Sequence, residues 1–395
     1  MNPIKRITNW LETTACAPAY SGWVLGGISI CFFGAAVNTM AGWLYVISGV
    51  SLALLGVAAI LPPLELVSLT VRRRPIAPVT AGDDLVVELE ITNESKQSVS
   101  LLKVEDILPL VLKQKSNFKA IEQSINTIAP QNSHFWQYYY PVSRRGVYHW
   151  QTVELKSGAP LGLFWCRRSR QCAATAIVYP QVLPLTTCPL IDEIGRDDSR
   201  QREPQGNPNA AASEGTVRSL RPYRIGDPIR LVHWRTSARR GELRVKEFEM
   251  VTGGQDIIIA LDSAISWNEE NFEQAVISAA SLYFYAQQKR MNVQLWTAGT
   301  GLVRGERAVL ETLAATTPLE DAVTSNIPNP MIWLTENPLL MASLPIGSRW
   351  VLWQPPSSHR EVINRDAPGL ILHQDEQLQL QLQKPLNSAL VSNFS

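Results

Sequence analysis

The spacing of polar and apolar positions changes three times along the chain. Between Glu12 and Glu65 there is no ionisable side chain other than Cys and Tyr. About 20 apolar residues in a helix cross a bilayer core of about 30 Å, and this stretch divides into two such lengths around Asn38, Thr39 and Met40. Backbone polar groups must be satisfied within lipid, so residues 20–37 and 42–62 are expected to be helices. Pro62 and Pro63 stand where the second should stop. The result is a transmembrane hairpin over 20–62, behind a short segment 1–19. Trp23 and Trp43 fall near the start of each span, where amphipathic rings favour the interface. Gly22 and Gly26 have the spacing that lets two helices pack closely, a spacing that a Gly-rich stretch also produces by chance. Ala15-Cys16-Ala17 looks like a cleavage site, but the apolar region follows it and does not precede it, which argues for a retained hairpin.

From 76 to 182 the period becomes two. In Asp84 to Asn93, Val87, Leu89 and Ile91 share one face and Glu88, Glu90 and Thr92 the other. Similar runs at 99–104, 135–142, 146–155 and 174–179, separated by Gly, Pro, Ser and Asn clusters, predict an antiparallel, immunoglobulin-like β-sandwich. Residues 190–215 then read as a linker, poor in large apolar side chains. After an Arg-rich segment at 216–250, residues 251–395 are α/β. Asp256 to Leu261 is a strand of the kind buried on both faces. Phe272, Val276, Ala279, Ala280, Tyr283 and Ala286 recur at helical steps behind Asn268, a capping residue. Further strands at 292–297, 331–335 and 349–353 and a helix at 307–315 predict a doubly wound parallel sheet. The C-terminal QDEQLQLQLQKPLNS reads equally as an alternating edge strand or a polar tail.

Composition narrows the classes. The 395 residues are 45% hydrophobic, which excludes a disordered chain, and the net charge of +1 gives no whole-chain attraction to nucleic acid. Charge sets orientation instead. Lys5 and Arg6 precede the first span and Arg72, Arg73 and Arg74 follow the second, with none between, so both ends and the soluble domains are expected on the cytoplasmic side of the inner membrane. The five cysteines form no CxxC, and in that compartment they are expected to be thiols.

The most concentrated chemistry lies between Arg218 and Lys246, where nine basic residues meet two acidic ones, with Tyr223, His233 and Trp234 among them. Four readings stand open: a β-hairpin whose arginines pair with Asp227, Glu247 and Glu249, an acidic protein partner, anionic lipid, and single-stranded nucleic acid. The string Arg221-Pro222-Tyr223, Gly226-Asp227, Arg230, His233-Trp234, Ser237-Ala238-Arg239 and Leu243 resembles the signature of a bacterial family named as domain of unknown function 58. Arg145-Gly146-Val147-Tyr148 and Ala159-Pro160-Leu161-Gly162-Leu163-Phe164 resemble that family's RGxY and DPxGLF segments, with Ala159 in place of the usual Asp. The resemblance implies a two-span anchor, a β domain and a C-terminal von Willebrand factor A-like domain. It also implies a link to MoxR-type AAA+ ATPases in the assembly or maturation of other proteins, with no established enzymatic activity. Arg221, Tyr223, Gly226, Asp227, Arg230, His233, Trp234, Ser237 and Arg239 are the interaction residues it points to.

A von Willebrand A-like domain would hold Mg²⁺ or Mn²⁺ through D-x-S-x-S after the first strand. The chain has Asp262-Ser263-Ala264-Ile265-Ser266 and, later, Thr335-Glu336. Asp262, Ser266 and Thr335 therefore make at most a degenerate, weak metal site, against the plainer reading of Asp262 as a turn-capping carboxylate. GxSxG, HExxH and GxxxxGK[ST] are absent, and the five histidines are dispersed. The expectation is a membrane-anchored interaction protein and not an enzyme. A metal-dependent hydrolase using Asp262, and lipid or nucleic-acid binding through the arginines, are the alternatives.

Overall fold

A computed structural model describes residues 16–115, 120–194, 216–223, 232–249, 256–322, 330–339, 344–345, 347–353 and 368–386. The chain divides into two compact units, Met1–Pro180 and Gln181–Ser395.

The first unit opens with a two-residue strand β1 (Ala17–Pro18), then helices α1 (Tyr20–Thr39) and α2 (Gly42–Val67). Both are long and apolar enough to cross a membrane. They turn back at Met40, which takes a left-handed conformation at φ 54°. The buried Ser48 hydroxyl donates to the Ser29 carbonyl at 2.9 Å, tying the two helices together. Trp23 and Trp43 are exposed.

Helix α2 continues through Pro62 and Pro63 to Val67, beyond the expected stop. Proline's fixed φ suits a helix, and its cost is the lost backbone bond and the crowding of the preceding turn. Here the following turn is held from outside: Leu66 is buried, and Arg170 donates from Nη2 to the Leu66 carbonyl at 2.6 Å and from Nε to that of Leu69 at 3.1 Å.

Two sheets follow. One is β2 (Leu69–Arg73), β4 (Asp84–Asn93) and β7 (Ser133–Pro141), in the order β2-β4-β7. The other has the order β1-β9-β8-β5-β6, built from β5 (Val99–Asp106), β6 (Ile121–Ile128), β8 (Gly146–Ser157) and β9 (Phe164–Tyr179). The short β3 (Val79–Thr80) joins β9 in parallel, and every other pairing in this unit is antiparallel. A short helix α3 (Leu110–Lys115) follows β5. The alternation in β4 gives what it predicts: Leu85, Val87, Leu89 and Ile91 are buried in one core with Trp136, Trp150, Val153 and Leu155 from both sheets.

That core also contains an ion pair. Arg73 Nη2 lies 2.6 Å from Asp106 Oδ1, both side chains are fully buried, and Tyr138 donates its hydroxyl to Asp106 Oδ2 at 2.6 Å. The Arg73 guanidinium sits 5.9 Å from the Trp150 ring centre. Burial pushes the Asp106 carboxyl up to about 6, against the pull of Arg73 and Tyr138. Arg73, counted above among the flanking charges that set orientation, is thus neutralised inside the sandwich, and Arg74 pairs with Glu88 at 3.1 Å.

The second unit begins before the expected linker ends. Leu185, Cys188, Leu190 and Ile191, around the helical turn α4 (Pro189–Asp192), are buried in its main core, and Tyr285 donates to Asp192 at 2.9 Å. Residues 195–215 lie outside the described residues. A two-stranded antiparallel sheet of β10 (Thr216–Pro222) and β11 (Arg244–Glu249) flanks helix α5 (Trp234–Arg240) in sequence.

The larger sheet is built from β12 (Asp256–Leu261), β13 (Asn292–Thr297), β14 (Gly301–Val303), β15 (Met331–Thr335), β16 (Arg349–Trp353) and β17 (Gly369–Leu372). Its order is β14-β13-β12-β15-β16-β17, parallel except for the antiparallel edge β14. Helix α6 (Glu269–Gln288) is capped by the Asn268 side chain, and all six residues picked out by their spacing are buried. Helix α7 is Glu306–Ala315. In the described part of the glutamine-rich C-terminal run, expected as an edge strand or a polar tail, Leu378–Leu382 form a helical turn α8. The buried Gln381 there bonds the backbone of His373 on both sides, at 2.7 and 2.8 Å. No disulfide joins any of the five cysteines.

Candidate functional site

Two places gather the residues singled out by the sequence. The first is built around α5. Its N-terminus is capped by His233, whose Nδ1 accepts from the Thr236 N–H at 3.2 Å, so this histidine is used as a structural acceptor. Ser237 is buried and works twice, donating to the His233 carbonyl at 3.1 Å and accepting from the Arg244 N–H at 2.9 Å. The helix ends at Gly241 in a left-handed conformation at φ 71°, a position that favours glycine, with its N–H bonded to the Ser237 carbonyl at 2.9 Å. Tyr223 N donates to the Leu243 carbonyl at 2.9 Å and His233 N to that of Arg244 at 2.8 Å, which seats the helix on β10 and β11. His233, Ser237 and Gly241 therefore hold the backbone.

What they hold up is a different set. Trp234 is 61% exposed, and Arg235, Ala238 and Arg239 are exposed beside it. Trp234 and Ala238 are one i, i+4 row on the helix, and Arg235 and Arg239 are the next. Among the described residues neither arginine bonds or pairs with another group, whereas Arg244 pairs with Glu242 at 3.6 Å. Gly226, Asp227 and Arg230 lie outside the described residues, as does the side chain of Arg221. Arg235 is not among the residues to which the family resemblance points. Its signal was the four-residue step to Arg239.

The second place is the carboxyl edge of the parallel sheet. Strand order reverses between β12 and β15, and at such a switch point the two strand ends leave a crevice. Asp262 and Thr335 meet there, the Thr335 hydroxyl donating to Asp262 Oδ2 at 2.8 Å with both residues buried. Burial holds the Asp262 carboxyl above its ordinary range, against the bonds it receives from Thr335 and the Ala264 backbone.

The surrounding groups are committed to one another. The Ser263 hydroxyl accepts from the Ala298 N–H at 2.9 Å, and the Asp262 carbonyl accepts from Trp267 Nε1 at 2.6 Å. Glu336 accepts from the Asn268 N–H at 2.9 Å and from Asn271 Nδ2 at 2.8 Å, at the start of α6. Ser266 is exposed and makes no bond to Asp262.

Mg²⁺ needs accessible, ionised oxygen ligands around an octahedron. One buried carboxylate, with its hydroxyl neighbour already donating to it and Ser266 not bonded to it, does not fit a resident divalent ion. No group of three His, Cys, Asp or Glu with metal-binding geometry occurs among the described residues. The weak site expected from Asp262, Ser266 and Thr335 is accordingly read as a hydrogen-bonded closure of the strand ends. Calorimetric titration with Mg²⁺ or Mn²⁺ is expected to give no heat that Asp262→Ala removes, and Asp262→Asn, which keeps an acceptor for Thr335, should leave the fold in place. A heat lost in the alanine variant would restore the metal reading.

Comparison with known proteins takes in the first place and Asp262 of the second. A protein from Bacillus subtilis (strain 168), described as uncharacterized protein YeaD, is 24% identical over 204 residues, covering 51% of this chain and 48% of that one. The chain thus spans about half the length of the curated relative it matches. Among solved structures, a CARDB domain from Pyrococcus furiosus aligns over 27% of this chain and 94% of its own, at 11% identity and a TM-score of 0.18. The bacterial hydrophobin BslA aligns over 27% and 95%, at 13% identity and a TM-score of 0.17. Residues 219–307, from β10 through α5 and β11 to the first turn of α7, match the family described as Protein of unknown function DUF58.

Proposed function

We propose that the chain is a membrane-anchored interaction module that presents the α5 face to a protein partner. Its hairpin fixes it in the cell inner membrane, with both soluble units in the cytoplasm. The partner we propose is a MoxR-type AAA+ ATPase, working with the chain in the assembly or maturation of other proteins, and the second unit is taken as a von Willebrand A-like domain. The observation that carries this reading is the pairing of roles in the signature. One set of its side chains builds and caps a short helix, and displayed on that helix are an exposed Trp and two exposed arginines, Arg235 and Arg239. Trp and Arg are the residue types that dominate the energetics of protein interfaces. The two apolar helices support the anchor, and the parallel sheet with Asp262 and Thr335 at its switch point supports the assignment of the second unit.

Membrane fractionation tests the anchor and its orientation together. The full chain should stay with the membranes through alkaline carbonate extraction. Protease added outside spheroplasts should leave the soluble units intact and should degrade them once the membrane is permeabilised. Release by carbonate, or cleavage before permeabilisation, would overturn the reading.

A further inference from the structure

The first unit carries apolar side chains at one end of its sandwich that its own core does not use. Leu161 is 47% exposed at the tip of the 158–163 loop, and Leu101 is 46% exposed on the neighbouring strand β5. The two belong to one structure. Leu101 takes a left-handed backbone at φ 50° between the buried Val99 and Leu102, and its side chain is turned outward there. Its carbonyl accepts from the Gly158 N–H at 3.3 Å, and Gly158 in turn accepts from the Gly162 N–H at 2.6 Å to close the loop.

The depth of this loop follows from its bonds to the hairpin. The Leu163 carbonyl accepts from the Ala19 N–H at 2.8 Å, the Gly162 carbonyl accepts from the Ser21 hydroxyl at 3.4 Å, and a Cβ on Gly22 would collide with the Leu163 carbonyl oxygen. The loop is therefore level with the first turn of α1 and reaches Gly22, inside the apolar span. Gly22, half of the GxxxG spacing, is needed for this approach to the loop. Helix α1 has 20 residues, about 30 Å at 1.5 Å each, which is about the thickness of the bilayer core. It has no spare turn to lift its N-terminus clear of the membrane, and Tyr20 and Trp23, both exposed, lie in that first turn as interfacial anchors do.

The polar turn at the same end of the sandwich sits at a different depth. The Glu94 N–H donates to the Ser68 carbonyl at 3.0 Å, which places the turn beyond the C-terminus of α2, outside the apolar span. Polar and apolar loops are thus sorted by their distance from the bilayer centre.

We infer that the 158–163 loop and Leu101 form a membrane-seated wedge, with Leu161 and Leu101 inserted at the boundary between lipid headgroups and acyl chains. The inference rests on the two helices spanning the bilayer. It gives the sandwich a fixed seat, so that its position over the membrane is set by lipid contact as well as by the hairpin.

Photo-crosslinking in vesicles of phosphatidylethanolamine and phosphatidylglycerol tests it on the full chain, with benzoylphenylalanine placed in turn at Val50, Leu161, Leu101 and Tyr139. Val50 reports the span. Tyr139 is exposed but pairs with Val86, far up the strands from the hairpin. Phospholipid adducts at Leu161 and Leu101 should come within about threefold of that at Val50 and exceed that at Tyr139 by about tenfold. Adducts at Val50 without adducts at Leu161 and Leu101 would overturn the wedge and leave the span standing. Protein adducts at Leu161 in place of lipid would make the loop a subunit contact and overturn it equally. No lipid adduct at Val50 would remove the span and the inference with it.

Discussion

Replacing Arg73 by alanine is expected to destabilise the sandwich by about 3–5 kcal/mol at pH 8, the cost of leaving a buried charge without its partner. Among the described residues no other cation pairs with Asp106, and its remaining side-chain bond comes from the Tyr138 hydroxyl. The loss depends on pH in a defined sense. In the wild type, burial raises the Asp106 carboxyl from 3.8 to about 6, so the folded state holds a proton that the unfolded state releases between those values. Stability from this group is present below about pH 4, falls by at most about 3 kcal/mol as pH rises to about 6, and is flat above. Without Arg73 the folded carboxyl moves further up, and the decline continues past the wild-type limit. The variant's deficit should therefore be smallest near pH 5 and grow towards pH 8. Hydrogen exchange of β5 and β7 amides in the full chain, corrected for intrinsic rates, reads this directly. An equal deficit at both pH values would show that the pair is not what holds these strands. Arg73→Met together with Asp106→Leu should recover most of the loss, because removing both charges leaves nothing uncompensated.

Trp234→Ala should weaken partner binding by about 2–4 kcal/mol, roughly 30-fold to 1,000-fold, without unfolding the platform. The side chain is exposed, and the bonds that build α5 run through His233, Ser237, Gly241 and Arg244, none of which the substitution touches. Arg235→Ala with Arg239→Ala should cost less and act mainly on the association rate, with a steep dependence on salt, because exposed charges steer an acidic partner more than they hold it. Binding can be followed by surface plasmon resonance with the full chain in nanodiscs. A partner whose affinity is unchanged by Trp234→Ala would place its contact elsewhere. Equal salt-sensitive binding to RNA or to anionic vesicles, lost with the same arginines, would move the face from protein recognition to those ligands.

Some of this architecture is written locally in the chain. The hairpin follows from a missing class of side chain between Glu12 and Glu65, β4 from strict alternation, and α6 from three and four residue steps behind a capping Asn. Asp262 and Thr335 could be placed at strand ends, and the parallel pairing of β12 with β15 then brings them together. What could not be read depends on partners distant in sequence. Helix α2 outlasts Pro62 and Pro63 because Arg170, 104 residues beyond Leu66, takes up its terminal carbonyl. Arg73 reads as a flanking charge because nothing local reveals Asp106, 33 residues away, as its buried partner. Glu336 reads as a changed metal ligand until it is seen to cap α6 from 65 and 68 residues away. In the signature segment the residue types were legible and their division of labour was not. Whether a His, Ser or Trp supports the backbone or faces solvent is decided by where α5 rests on β10 and β11.

The proposed function is the engagement of a protein partner by the Trp234 face of a membrane-held chain. Its most direct test is crosslinking in intact cells, purification of the full-length chain in mild detergent, and mass spectrometry of what is carried with it, comparing wild type with Trp234→Ala. One ATPase of the MoxR type is expected to be enriched with the wild type and depleted by at least about 30-fold in the variant, at equal recovery of the chain itself. Equal enrichment with both proteins, or no protein enriched with either, would contradict it.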